Sequence, residues 1–124
     1  MHIRTENFKS EIMLETTVGQ KNLPRYFAQV FEMTKKMNTG RLDFELPDGR
    51  IFRAHGKNSG PVSHLKINNS DVFARLIREG YLGFCDAYLD GWWSTPDLQI
   101  FLDLMHADND EMYDAFPGMG MVRA

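Results

Sequence analysis

Residues 40–55 read GRLDFELPDGRIFRAH. Leu42, Phe44 and Leu46 alternate with Arg41, Asp43 and Glu45, the period of two that places one set on each face of a strand. Pro47-Asp48-Gly49 then supplies a turn, because proline presets φ and glycine takes the positive-φ position. Ile51 to His55 returns as a second strand, so the stretch is a β-hairpin. Its neighbours in the chain decide what that hairpin packs against.

Upstream, Leu23, Phe27, Val30, Phe31, Thr34 and Met37 recur at spacings of three and four, which predicts an amphipathic helix. Pro24 suits its first turn, Lys35 and Lys36 complement the dipole in its last turn, and Asn38-Thr39-Gly40 ends it. Downstream, residues 62–67 read VSHLKI, a third strand with Leu65 and Ile67 inward. Asn69 or Ser70 then caps a helix that buries Val72, Phe73, Leu76 and Ile77, with Gly80 closing it. Tyr81, Phe84, Cys85, Tyr88 and Trp92 continue at helical spacing. Residues 83–90 therefore read as a short helix ended by Gly91, with a strand through 90–94 as the alternative. Thr95-Pro96-Asp97 combines an N-cap, a proline at the first helical position and an acid on the dipole. The helix after it carries Leu98, Phe101, Leu102 and Met105 on one face. The sum is an α+β fold: a small antiparallel sheet of three or more strands, the first two a P-D-G hairpin, packed against several helices. Residues 1–22 read as a polar arm, 23–106 as the domain, and 107–124 as an acidic linker or tail toward a further domain.

Composition fits one globular domain of 124 residues, 43% apolar and 25% charged. A single cysteine, Cys85, excludes an internal disulfide and a cysteine-cluster zinc site. No apolar run approaches the roughly 20 residues of a membrane span, and the first 17 residues lack the apolar core of a secretory leader. A cytoplasmic protein is expected, with peripheral association at the inner membrane face. The net charge of −3 is unevenly spread. Residues 1–78 hold 13 of the 14 Lys and Arg against eight acids, whereas 79–124 hold nine acids and only Arg123. This polarity predicts that two ends of the molecule face different surroundings. The acidic total and the lack of a basic stripe among the aromatics argue against nucleic acid.

Chemistry-bearing motifs are absent. Gly118-Met119-Gly120 lacks the strand before and the helix after that a dinucleotide or methyl-donor loop requires. His55 and His64 fall on the outer face of neighbouring strands, but two imidazoles without a placed third ligand do not make a metal site. Cys85 sits on an apolar face as a structural thiol. Asp86 and Asp90 share a helix face without a partnering histidine or nucleophile. No catalytic or metal-binding residue is assigned.

Residues 75–98, RLIREGYLGFCDAYLDGWWSTPDL, resemble the N-terminal region of cyclopropane-fatty-acyl-phospholipid synthases. That region typically reads a small helix, a glycine, and then a segment close to GEAYMDGWWDSPDL. Gly83, Ala87, Tyr88, Asp90, Gly91, Trp92, Trp93, Pro96, Asp97 and Leu98 match it, while Phe84 and Cys85 depart. Residues 40–50 also resemble the family's glycine–strand–P-D-G hairpin. The likeness covers roughly residues 23–106.

The resemblance implies a lipid-contacting, sterol-carrier-like domain. In the family's full enzymes S-adenosylmethionine and the catalytic residues belong to a larger C-terminal methyltransferase domain. No cofactor is therefore expected in this chain, and S-adenosylmethionine only in a partner domain or subunit. Phospholipid or fatty acyl chains and a membrane surface are the other implied partners.

A lipid-handling domain needs an apolar groove or an aromatic patch, and Tyr and Trp suit such borders because each carries a polar tip on an apolar body. Phe84, Tyr88, Trp92, Trp93, Leu98 and Phe101 are the candidate lipid contacts, and Arg41, Arg50, Arg53 and Lys66 the candidate membrane-facing cations. Adjacent side chains of an extended segment point opposite ways, so one of Trp92 and Trp93 belongs to the core and the other to a surface. A free-standing lipid carrier and a ligand-free protein-interaction module are the alternative readings.

Overall fold

The structure, a computed structural model, describes residues 13–107. The first 12 residues of the expected arm, and the expected tail from residue 108 onward, lie outside the described residues. In chain order the elements are β1 (Met13–Leu14), α1 (Phe27–Thr34), β2 (Thr39–Glu45), β3 (Ile51–His55), β4 (Asn58–Ile67), α2 (Val72–Leu89), β5 (Trp93–Ser94) and α3 (Leu98–Met105). The fold is α+β, as the alternating and helical periods predict.

The hairpin forms as expected. Gly49 has φ 97°, its N–H donates to the Leu46 carbonyl at 2.9 Å, and the Leu46 N–H donates to Arg50 at 2.8 Å. This is a three-residue loop ending in a left-handed glycine. Phe44 pairs with Phe52 on one side and Leu65 on the other, so a single apolar face runs across β3, β2 and β4.

The sheet is mixed rather than antiparallel. Its order is β1-β3-β2-β4-β5, with β1 parallel to β3 and β2 parallel to β4. Only Gly56 and Lys57 separate β3 from β4, yet β4 does not fold back on β3, whose outer edge is taken by β1. The chain instead crosses the start of β2 and pairs along its other side. Three residues of β2, from Thr39 to Arg41, span the same register as five of β4, from Asn58 to Val62. Glycine permits this crossing. Gly40 has φ 96°, and a Cβ there would collide with Leu104 Cδ1 and lie 2.6 Å from the Pro61 carbonyl oxygen.

Three local expectations are corrected. Helix α1 starts at Phe27 because Tyr26 takes the left-handed conformation (φ 67°), so Pro24 lies in a preceding turn whose carbonyl accepts from the Phe27 N–H at 3.0 Å. Gly40 is a strand residue at the crossing, not a helix stop. The cap of α3 is Asp97, which accepts from the Ile100 N–H at 3.2 Å; Thr95 Oγ1 lies beside Ser63 Oγ instead. Its buried face is Phe101, Leu104 and Met105, with Leu98 exposed.

Helix α2 contains a break at Gly80 (φ 75°, ψ −159°), so its two halves are the two helices the sequence predicts. It ends in a Schellman motif: Trp92 N–H donates to Ala87 O at 2.9 Å and Gly91 N–H to Tyr88 O at 3.0 Å. The N-cap is Asp71, without a side-chain bond, rather than Asn69 or Ser70; Asn69 shapes the turn before it, accepting from the Asp71 N–H at 2.9 Å.

All three helices cover the apolar face. Phe27, Phe31, Phe44, Phe52 and Phe73 meet with ring centroids 4.9–6.3 Å apart. These rings form one half of the core; the other half is built on Trp93.

Candidate functional site

The aromatic stretch divides as alternation requires. Residue Trp93 pairs with Ile67 across β5 and β4, which turns its ring inward, and it is 2% exposed. Phe84 stacks on it at 4.5 Å, Tyr88 lies at 4.9 Å and Phe101 at 5.1 Å. Its indole N–H donates to the Phe84 carbonyl at 2.9 Å, so the polar tip is satisfied inside the core. By contrast, Trp92 is half-buried, with the Arg75 guanidinium 4.8 Å from its ring centre. Arg75 in turn donates to Asp90 at 2.8 Å and to Glu79 at 3.2 Å, tying the end of α2 to its first half.

Beneath Phe84 and Phe101 lies an almost wholly apolar cavity of about 30 Å³ between the helices and the sheet. Leu42, Phe44 and Leu65 form its floor, Val30 and Thr34 come from α1, Phe73, Leu76 and Tyr81 from α2, and Met105 from α3. The hydroxyl of Thr34 donates to the Val30 carbonyl at 2.8 Å, so it asks nothing of an occupant. Of the six candidate lipid contacts, Phe84 and Phe101 reach this space; Tyr88 and Trp93 stand behind them, and Trp92 and Leu98 lie outside.

The four candidate cations do not form one patch. Arg50 binds Asp48, holding its carboxyl below the usual range, and also donates to the Lys21 and Asn22 carbonyls at 2.8 and 3.0 Å. Arg53 grips Asp43 through two bonds of 3.0 and 3.2 Å, and Arg41 reaches the same carboxylate at 3.5 Å. Only Lys66 is exposed on its strand without such a bond among the described residues.

Asp43 is buried although it lies on the outer sheet face. Two long arginine side chains close over it, which residue-by-residue patterning does not reveal.

His55 and His64 do share the outer face, but each faces a different acid: Glu15 at 3.5 Å and Glu45 at 2.7 Å. No group of three metal-ligating side chains exists among the described residues.

Burial pushes the Cys85 thiol up, and Asp86 adds to the shift against a hydrogen bond with Tyr81. The thiol rather than the thiolate is thus the neutral-pH form, and only the thiolate is nucleophilic. A maleimide should label Cys85 more slowly at pH 7 than it labels free cysteine, and reach the free rate in denaturant. Labelling at the free rate in the folded protein would contradict this placement.

With that geometry in view, the comparisons with known proteins are narrow. No family model matches the chain, and no solved structure matches it. It is 36% identical over 44 residues to the cyclopropane-fatty-acyl-phospholipid synthase of Escherichia coli K12, a match covering 36% of this chain and 12% of the synthase. The synthase of an Escherichia coli O6:H1 strain matches over the same extent and identity. The similarity is local. It relates the chain to a fragment of that enzyme, about an eighth of its length.

No described helix is long and apolar enough to cross a membrane.

Proposed function

We propose that this chain is a non-catalytic, lipid-binding accessory domain that takes an acyl chain between its helices and the inner sheet face. On this reading it presents the chain to a methyltransferase domain, where S-adenosylmethionine is bound and the methyl carbon transferred. The observation that carries the proposal is the 44-residue similarity to a phospholipid-modifying synthase. The apolar cavity supports it, because its lining offers an occupant burial and no polar partner.

Size sets a condition. A volume of 30 Å³ matches roughly one water's share of the liquid, so an acyl chain enters only if the helices part from the sheet. The lining spans the break in α2: Phe73 and Leu76 precede Gly80, while Tyr81 and Phe84 follow it. A joint at that point lets the second half lift while the first stays packed. Each methylene buried contributes about 0.8 kcal/mol, so several are needed to offset the opening.

A second reading rests on a different feature. Leu82 and Leu89, two turns apart on α2, are 65% and 79% exposed, which suits a protein-interaction module without a lipid. Native mass spectrometry after incubation with oleic acid separates the two. The lipid reading expects a one-to-one adduct; a bare chain up to the solubility limit of the acid leaves the interaction module.

A further inference from the structure

On the side of the sheet away from the helices, the crossing between β3 and β4 leaves a recess of about 260 Å³. Arg41, His55 and Lys57 line it together with Asn58 and Ser59, and no carboxylate does. The neighbouring recess is different: Asp43 and Asp97 share it with Arg41 and His64. Of the two recesses, the crossing is the one whose lining has cations and no carboxylate.

The crossing also holds an unmet donor. Arg41 Nε is buried with no hydrogen-bond partner, while the other end of the same guanidinium reaches Asp43 at 3.5 Å. A buried donor without an acceptor is costly and rare, and an incoming oxyanion would relieve it. Lys57 is exposed and has no acid partner among the described residues. Among the described residues His55 has a single acid within reach, Glu15 at 3.5 Å. The backbone is built for close approach here, since a Cβ at Gly56 or Gly60 would strike Asn38 or Thr39. The volume is below the roughly 300–1,000 Å³ typical of drug-sized pockets, which suits a small charged group rather than a whole cofactor.

We propose that this crossing is a phosphate-binding site, held by Arg41 and Lys57 with His55 at its rim. Guanidinium and ammonium groups are the usual partners of a phosphate, the first by paired hydrogen bonds and the second as a point charge. The phosphate belongs either to a phospholipid headgroup or to a soluble phosphomonoester. The site lies across the sheet from the apolar cavity, so it does not depend on the acyl-chain reading, and loss of either leaves the other standing.

The test is an NMR titration of the full chain with glycerol 3-phosphate and, separately, with vesicles of phosphatidylglycerol or phosphatidylcholine. Saturable shifts at the amides of residues 56–60 are expected, with binding weakened about tenfold by Lys57→Gln, as loss of one charged hydrogen bond implies. Arg78→Gln, which removes an exposed charge on α2, on the other side of the sheet, should change nothing. A response to glycerol 3-phosphate assigns a soluble ligand, and a response to phosphatidylglycerol vesicles alone assigns the headgroup. No response at residues 56–60 to either probe, or equal weakening by Arg78→Gln and Lys57→Gln, overturns the site.

Discussion

Replacing Trp93 by alanine is expected to lower stability by about 3–5 kcal/mol, the range for removing a large buried aromatic. For a domain of this size that is a fall in Tm of more than about 10 °C. The ring is 2% exposed, stacks on Phe84 and donates its N–H inside the core, so the substitution leaves a cavity and removes a buried hydrogen bond. Trp92→Ala removes a half-buried ring and the contact of Arg75 over its face. A cation–π contact at such a site is worth about 0.5–1 kcal/mol, so this variant should stay folded with a small loss. Calorimetric unfolding of the two variants checks the pair. Equal losses would contradict the division of the tryptophans between core and surface.

Gly40→Ala is the second large effect. A side chain at φ 96° costs about 1–2 kcal/mol in its own right, and overpacking adds about 1–3 kcal/mol. Leu104 can yield at the end of its side chain; the Pro61 carbonyl, part of the β4 backbone, cannot. The sum is about 2–5 kcal/mol. Gly49→Ala provides the control, since Gly49 has a similar φ of 97° and nothing within 4 Å of a built Cβ. Urea unfolding should therefore show Gly40→Ala losing clearly more than Gly49→Ala. Equal losses would mean that the crossing tolerates a side chain and that only the backbone angle matters.

Legibility in the sequence followed the physics of each feature. The hairpin and its inward residues were readable because a period of two and the Pro-Asp-Gly turn act locally. The stripe of α1 was readable for the same reason, but its start was not: nothing in the residue type announces that Tyr26 is left-handed. Strand direction was hidden, since alternation is identical in parallel and antiparallel pairs. That is why the parallel pairings of β1 with β3 and β2 with β4 were not foreseen. The helix stop placed at Gly40 failed because glycine serves chain crossings as well as helix ends. Thr95 and Asp97 are both capping residues, and only the geometry separates them. For the tryptophans, alternation foretold one core and one surface ring, while the pairing of Trp93 with Ile67 decided which. The cavity, the buried Asp43 and the unmet Arg41 donor depend on side chains brought together from distant strands and helices, and no local pattern carries them.

The central claim is that an acyl chain occupies the space between the helices and the inner sheet face. A spin-labelled fatty acid, followed through the methyl resonances of the protein, tests it most directly. Broadening strongest at Val30, Leu42, Leu65 and Leu76, which line the cavity, and weaker at Ile51 and Val62 on the opposite sheet face is the expected result. Broadening of Ile51 and Val62 in place of the cavity methyls, or of none, would contradict it.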